Sequence, residues 1–195
     1  SLRIKDKEKN SSLAKKFGFE YFDGVRAQGY GGYWYDGRWL KVADRLIERY
    51  NLTSQSKFLD VGCAKGFLLK DLRSKVKGIS VRGLDCSEYA KSKACPSVQP
   101  SIDIGCCSSL PYLDNSFDAA VAINTVHNLD EKLCRQAIKE LTRVVKNKRN
   151  IFIQVDAYNS PEERAIFEVW ALTAKTYLTP HEWEVMFDDL GFCGD

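Results

Sequence analysis

The chain has 195 residues, of which 28% are charged, and it carries a formal net charge of +3. This length allows one sizeable core and is too short for two comfortable domains. The nearly balanced charge does not demand an extended nucleic-acid footprint, no apolar run approaches a membrane span, and no signal peptide opens the sequence. We therefore expect a cytoplasmic protein with neither a membrane nor a nucleic acid as its partner.

The cysteines are seven in number, and none of them forms a C-x-x-C pair. An odd set without paired spacing is not typical of a disulfide framework or a zinc site. We predict that they are small buried hydrophobic residues in a reducing compartment and that the chain holds no metal. They are Cys63, Cys86, Cys95, Cys106, Cys107, Cys134 and Cys193.

Residues 1–38 are predicted to form an N-terminal arm, and residues 39–195 the main domain. Aromatic residues and glycines crowd positions 17–39. Glycine gives the backbone freedom, and aromatic rings need a flat or apolar surface to cover. We interpret this stretch as a lid, and the alternative is an arm packed permanently on the domain. The lid residues that we assign to substrate contact are Tyr30, Trp34, Tyr35 and Arg38.

A ligand turn is predicted after the first strand. Apolar residues at helical spacing in 39–50 predict a helix on one face of a sheet, and an apolar run at 57–61 then meets small residues at 62–66 and a helical pattern to about residue 74. This order is typical of a parallel strand and its crossover helix. Unpaired N–H groups at a helix start and the open backbone of glycine favour a ligand there. The alternative is a tight turn with no ligand.

The glycine spacing narrows the choice of ligand. A dinucleotide fingerprint has glycine at the first, third and sixth positions, whereas here Gly62 is followed by Ala64 at the third, Gly66 at the fifth and Phe67 at the sixth. Asp60, two residues before Gly62, suits a ligand with a cationic amino group. In these residues the chain resembles the class I S-adenosylmethionine-dependent methyltransferases, whose first motif is acid-x-Gly-x-Gly-x-Gly; it departs from that motif only at Ala64.

The resemblance implies a doubly wound, mostly parallel α/β sheet with S-adenosylmethionine as the cofactor. It assigns the methionine part of the cofactor to Asp60, Gly62, Gly66 and the backbone of Asn124. Cys63 and Ala64, from the same turn, are also included among the cofactor-binding residues. Aromatic faces can stabilise a sulfonium charge, so Tyr33 is added to the cofactor residues, with Tyr30, Trp34 and Tyr35 as further candidates for the same cage.

The second strand, predicted at residues 79–84, ends in Asp85. An acid at this tip, about 20 residues beyond the glycine turn, is placed to bind ribose hydroxyls, and the alternative is a plain helix N-cap. Cys86 follows it and is assigned to the cofactor as well.

The third strand is predicted at residues 98–105, where Pro100 argues for a sheet edge. In the family that the chain resembles, an acid after this strand contacts the adenine amino group, and Cys106 stands at that position here. A thiol is a weak acceptor, so we expect adenine to be held more by backbone groups and by apolar side chains such as Ile104 and Leu110. Cys106 and Cys107 are included among the cofactor-binding residues.

The fourth strand, at 119–123, is apolar on both faces, as a central parallel strand should be. His127 follows it at the ligand edge and titrates near neutrality, so we propose it as general base; a hydrogen-bonded structural histidine is the alternative. A helix, a fifth strand at 151–155, a long helix at 161–177 and a helix capped by Thr179 and Glu182 complete the predicted elements. The resemblance implies a terminal antiparallel pair of strands, which we expect to be missing here.

We predict a methyltransferase that acts on an oxygen or nitrogen of a small polar molecule, such as a sugar or a related metabolite. In-line methyl transfer depends mainly on alignment and on the removal of water. Two alternatives are a nicotinamide-dependent oxidoreductase and a non-catalytic module that binds S-adenosylmethionine.

Overall fold

The computed structural model describes residues 2–195; the first residue of the predicted arm, Ser1, lies outside the described residues. The helices are α1 (Leu2–Lys5), α2 (Lys7–Ala14), α3 (Phe19–Phe22), α4 (Leu40–Tyr50), α5 (Phe67–Lys75), α6 (Glu88–Ser92), α7 (Glu131–Val144), α8 (Pro161–Trp170) and α9 (Pro180–Asp189). The strands are β1 (Lys57–Val61), β2 (Ser80–Asp85), β3 (Ile102–Ile104), β4 (Ala119–Ile123) and β5 (Ile151–Gln154).

The five strands form one parallel sheet in the order β3-β2-β1-β4-β5. Strand β1 is central and pairs Phe58 with Val81 of β2 and with Ala119 of β4. Because the strand order reverses between β1 and β4, the two halves of the sheet diverge at this point, where ligands bind in open α/β sheets. The predicted doubly wound parallel fold is confirmed.

Alternate residues of the central strands supply two separate core layers. Leu59 and Ala120 pack with α7 and α9 on one face, while Phe58 and Val121 pack with α4 and α5 on the other. This alternation follows from the two-residue period of a strand that is covered on both sides. The buried layers fix the strand ends, and therefore the loops that follow them.

The long helix predicted at 161–177 is wrong in length and in burial. Helix α8 ends at Trp170, none of its residues is buried, and Ile166 and Trp170 of the predicted buried face are 68% and 53% exposed. The chain then continues without helix as segment 171–178, with bends at 172 and 173, and its backbone N–H groups at Lys175 and Thr176 donate to the carbonyl of His127. These tertiary hydrogen bonds replace the last helical turns and bury Ala174 outside any helix.

Three further differences concern the edges of the fold. Strand β3 is shorter than predicted because a 3-10 turn at Gln99–Ser101 precedes it. Helices α1 and α2 had no sequence prediction. Asp195 forms two backbone hydrogen bonds with Ile151 and Ile153, so it lies beside β5.

Every helix among residues 2–195 is too short or too polar to cross a bilayer.

The cysteine prediction is correct for only part of the set. Cys63, Cys107 and Cys134 are buried, whereas Cys86, Cys106 and Cys193 are exposed. Spacing alone did not reveal that two of the exposed thiols follow the parallel neighbours β2 and β3, whose carboxyl ends open onto a cavity.

Candidate active site

Three neighbouring cavities lie at the carboxyl ends of the strands. We name them after one lining residue each: the Asp85 cavity of about 230 Å³, the Asp60 cavity of about 200 Å³ and the His127 cavity of about 370 Å³. Tyr30 and Asn124 line all three. The sheet edge and the N-terminal arm therefore enclose one connected site.

The glycine turn between β1 and α5 has a backbone that most residues avoid. Gly62 and Gly66 have φ of +80° and +70°, and Ala64 has φ of +49°. A Cβ atom at Gly62 would lie 2.0 Å from Oγ1 of Thr125, so this glycine is also required for close packing against the loop after β4. Ala64 adopts its left-handed conformation at a steric cost that glycine would not carry.

Asp60, at the carboxyl half of β1, is a buried acid that lines the Asp60 cavity. Its residue is 6% exposed, and no cationic side chain among residues 2–195 pairs with it. Burial, reinforced by the negative charge of Asp85, raises the pKa of this carboxyl to about 7. Arg38 lines the same cavity but is paired with Asp36, so a buried carboxylate left without an ion-pair partner is matched to a cationic ligand group.

Asp85 lies at the tip of β2 and shapes the same turn. Its Oδ2 accepts a hydrogen bond of 2.7 Å from the N–H of Ala64, and its Oδ1 accepts one of 2.9 Å from the N–H of Ser87. Burial raises its pKa, and these backbone donors partly oppose that shift. Ser87, whose hydroxyl accepts from the N–H of Ala90, is the N-cap of α6, so the N-cap alternative for Asp85 is wrong.

The Asp85 cavity is lined by three thiols. Cys86, Cys106 and Cys107 lie along one wall, and Sγ of Cys106 is 3.0 Å from Oγ of Ser108. Ile104 and Leu110, which the sequence predicts beside adenine, do not line this cavity: Ile104 is 41% exposed, and Leu110 is buried in the core. Four aromatic residues of the arm also line this cavity: Phe17, Tyr21, Phe22 and Tyr30.

The arm brings only part of the predicted lid residues to the site. Tyr33 lines the Asp60 cavity, and Arg38 lines the Asp60 and His127 cavities while its guanidinium pairs with Asp36 at 2.7 Å. Trp34 is 65% exposed and lines none of the three cavities. Tyr35 also lies away from them.

A different interaction fixes Tyr35. Its hydroxyl donates to Oδ1 of Asp71 at 2.6 Å, and Nζ of Lys70 lies 3.1 Å from the centre of its ring. Both contacts are with residues of α5 that line none of the three cavities. Because glycines at 29, 31, 32 and 37 turn the chain repeatedly, the alternation of aromatic residues did not indicate which rings face inward.

His127 lies in the 3-10 turn Val126–Asn128 after β4, lines its cavity and is 4% exposed. Its Nδ1 accepts from the backbone N–H of Asp156 at 3.3 Å, and its Nε2 lies 3.7 Å from Oδ2 of Asp156. Burial lowers the pKa of the ring, although the Asp156 carboxylate opposes that shift. The neutral ring has its lone pair on Nδ1, and Nε2 carries the proton. This arrangement favours a hydrogen-bonded structural histidine over a general base.

Several residues that the sequence did not single out line the site. Asn128 donates from Nδ2 to the carbonyl of Asn124, while its Oδ1 is buried without a hydrogen-bond partner within the described chain. Asp156 and Thr173 lie beside it in the His127 cavity. The polar residues just after β5 were a usable signal for Asp156, since carboxyl ends of parallel strands share one edge. No sequence signal indicated Thr173, because the pattern of its segment predicts a helix.

The fold and its site define a doubly wound α/β protein with a ligand cavity at the point where the strand order reverses. Residues 59–153 match the model of the family described as "Methyltransferase domain". This stretch is a methyltransferase domain of the class I S-adenosylmethionine-dependent type, as the sequence predicts, and this family uses S-adenosylmethionine as its cofactor.

Two curated relatives and one solved structure illustrate the similarity. The chain is 28% identical to Methyltransferase GfsG of Streptomyces halstedii over 59% of this chain and 46% of that protein. It is 30% identical to the tRNA (carboxymethyluridine(34)-5-O)-methyltransferase of Arabidopsis thaliana over 75% of this chain and 34% of that protein. The YcgJ protein of Bacillus subtilis superposes with a TM-score of 0.64 at 20% identity, over 80% of this chain and 68% of that one. The chain thus spans less than half the length of these two curated relatives.

Proposed function

We propose that this chain transfers a methyl group from S-adenosylmethionine to an oxygen or nitrogen of a small polar molecule, such as a sugar or a related metabolite. The observation that carries the proposal is the unpaired buried carboxylate of Asp60 at the wall of a cavity that continues past Tyr30 to Asp85. A ligand with an ammonium group at one end and a ribose at the other satisfies both acids.

The cofactor is assigned to residues of the turn and its neighbours. Asp60 would hold the amino group, and Asp85 the ribose hydroxyls, since each of its oxygens has accepting capacity left beyond one backbone bond. The exposed thiols of Cys86 and Cys106 lie where the base would be covered. When bound, the cofactor supplies a methyl group activated on a sulfonium. The chain's own residues align it and exclude water.

The His127 cavity is the proposed acceptor site. Its lining is polar, with the amide oxygen of Asn128 and the carboxylate of Asp156 as hydrogen-bond acceptors for a hydroxyl or amino group. His127 fixes the backbone at Asp156 through its Nδ1. This geometry supports a positioning role for His127 rather than the base role that the sequence predicts, because its free nitrogen already carries a proton.

Calorimetry with S-adenosylhomocysteine, the demethylated cofactor, tests the cofactor assignment. We expect micromolar binding by the native chain and its loss in Asp60→Asn. The matched control is Asp44→Asn, because Asp44 is a surface acid paired with Lys75 at 2.9 Å and should leave binding unchanged. No binding at millimolar concentration would contradict the proposal, and preferential binding of NAD would restore the oxidoreductase alternative.

An acceptor panel tests the rest of the proposal through release of S-adenosylhomocysteine. Sugars, amino compounds, quinones and tRNA belong in it, because one relative is named as a tRNA methyltransferase. We expect turnover with a small polar compound and none with tRNA. Turnover with tRNA alone would replace our acceptor class. Tight cofactor binding without turnover on any compound would favour the non-catalytic alternative.

A further inference from the structure

The glycine turn contains a buried lysine that points away from the ligand cavities. Lys65 lies between Ala64 and Gly66, and its side chain is 7% exposed. Its Nζ donates to Oδ1 and Oδ2 of Asp23 and to the carbonyl of Tyr33, each at 2.7 Å. An ammonium group has three protons, so this geometry uses all of its donors. Every partner belongs to the N-terminal arm.

Asp23 accepts two further hydrogen bonds besides those from Lys65. Its Oδ1 also accepts from the N–H of Tyr33 at 3.1 Å, and its Oδ2 accepts from the hydroxyl of Tyr89 at 2.7 Å. Burial opposes ionisation of Asp23, but hydrogen bonds from Lys65, Tyr33 and Tyr89 outweigh it and hold its pKa below the usual range. The carboxylate is therefore ionised at neutral pH and paired on both oxygens.

The same contacts hold aromatic rings over the Asp60 cavity. The ring of Tyr33 stacks on Phe67, the first residue of α5, with centroids 5.0 Å apart, and it lies 4.6 Å from the ring of Tyr30. Tyr30 and Tyr33 both line the Asp60 cavity. The arm's own backbone bonds, from Tyr30 to Tyr21 and from Gly32 to Phe22, make the ring-bearing stretch one unit.

We propose that Lys65 and Asp23 form a latch, in which Lys65 is a positioning residue that joins the arm to the cofactor turn and sets how fast the arm opens. This inference rests on the proposed function, because it treats the Asp60 cavity as the cofactor's. The latch holds Tyr30 and Tyr33 in place as part of the lining of the Asp60 cavity. Opening the latch breaks the ion pair between the 7% exposed side chain of Lys65 and the 24% exposed side chain of Asp23, and it separates Lys65 from the carbonyl of Tyr33.

Hydrogen–deuterium exchange of the ligand-free protein tests the latch directly. The main variant is the double change Lys65→Met/Asp23→Asn, which leaves no unpaired buried charge. We expect exchange in residues 19–35 to accelerate at least about tenfold, with β1 and β4 unchanged. The matched control is Lys75→Met, which removes the partly exposed pair with Asp44 and should leave the arm as in the native chain.

The release rate of S-adenosylhomocysteine, measured by stopped flow well below the unfolding temperature, is the second readout. We expect release to be about tenfold faster in Lys65→Met and no faster still in the double variant, because one latch is broken in both. Lys65→Arg keeps a cation and should restore part of the slow release. Tyr89→Phe removes one hydrogen bond to Asp23 and provides a milder variant if the others do not fold.

Two results would overturn the latch. Native-like exchange of residues 19–35 in the folded double variant, or in Tyr89→Phe if the double variant does not fold, shows that aromatic packing alone holds the arm. Accelerated exchange with an unchanged release rate shows that the arm does not control the cofactor. Failure of the native chain to bind S-adenosylhomocysteine contradicts the proposed function instead, and the exchange experiment does not depend on it.

Discussion

Cofactor affinity should vary with pH through Asp60. The residue is 6% exposed, and burial together with the nearby charge of Asp85 raises its pKa to about 7. A protonated carboxyl has no charge with which to attract an ammonium group. Binding of a cofactor that carries this group should therefore weaken as the pH falls through neutrality, over a range in which exposed aspartates stay ionised.

The size of the effect follows from the ionised fraction of Asp60. With a pKa of about 7, this fraction falls from about three quarters at about pH 7.5 to about 3% at about pH 5.5. If only the ionised form binds, the dissociation constant of S-adenosylhomocysteine should rise about 25-fold between these two pH values. Weak binding by the neutral form would reduce this factor but not reverse it.

Calorimetric titrations with S-adenosylhomocysteine across this pH range measure the effect, and circular dichroism checks that the protein stays folded. Asp60→Asn should bind weakly and show little pH dependence, because its amide does not titrate. Asp44→Asn should keep the native pH profile, since the Asp44 side chain is 54% exposed and lines none of the three cavities. A native dissociation constant that stays within about twofold over the range would refute the pairing of Asp60 with the ammonium group.

Three further predictions concern stability. Ala64→Gly should raise the unfolding free energy by about 1 kcal/mol in urea denaturation, because Ala64 has φ of +49°; an unchanged midpoint would show that this backbone carries no strain. Gly62→Ala should lower it by more than about 2 kcal/mol, since the new methyl group would lie 2.0 Å from Oγ1 of Thr125, and native stability would contradict that contact. Burial lowers the pKa of His127, so the unfolded chain binds more protons and the native protein should lose stability as the pH falls below about 6.5. His127→Gln should flatten that loss in thermal unfolding, and an equally steep loss would assign it to other groups.

The central part of the fold could be predicted because its signals are local. Strands β1 and β4 have the bounds that the sequence predicts, and α9 has the predicted capping box between Thr179 and Glu182. The acids at the ends of two parallel strands, Asp60 and Asp85, could be placed at one edge without coordinates, since parallel topology brings strand ends together. Their roles in binding stay predictions.

The parts that could not be predicted depend on partners distant in sequence. Lys65 looks like a solvated lysine, and its partner Asp23 lies 42 residues earlier in the chain. Helix α8 and segment 171–178 carry one continuous helical pattern, yet the second half is not helical, and its N–H groups at Lys175 and Thr176 bond instead to the carbonyl of His127. Trp34 and Tyr21 are equally aromatic, and only the turns of the arm decide that Tyr21 lines a cavity while Trp34 faces solvent.

The charges around the turn are arranged so that the ligand, rather than the protein, neutralises Asp60. Lys65 is the one cationic residue in the stretch 62–66, and its three donors are occupied by Asp23 and Tyr33. Arg38, which also lines the Asp60 cavity, is paired with Asp36 at 2.7 Å. Because the folded-state pKa of Asp60 is raised, the free protein loses stability as the pH rises from about 4 through about 7, where the buried carboxyl ionises. A bound ammonium group removes that cost. At one ligand concentration, cofactor binding should therefore raise the unfolding temperature more at pH 8 than at pH 6. Thermal unfolding with and without S-adenosylhomocysteine at the two pH values measures the difference.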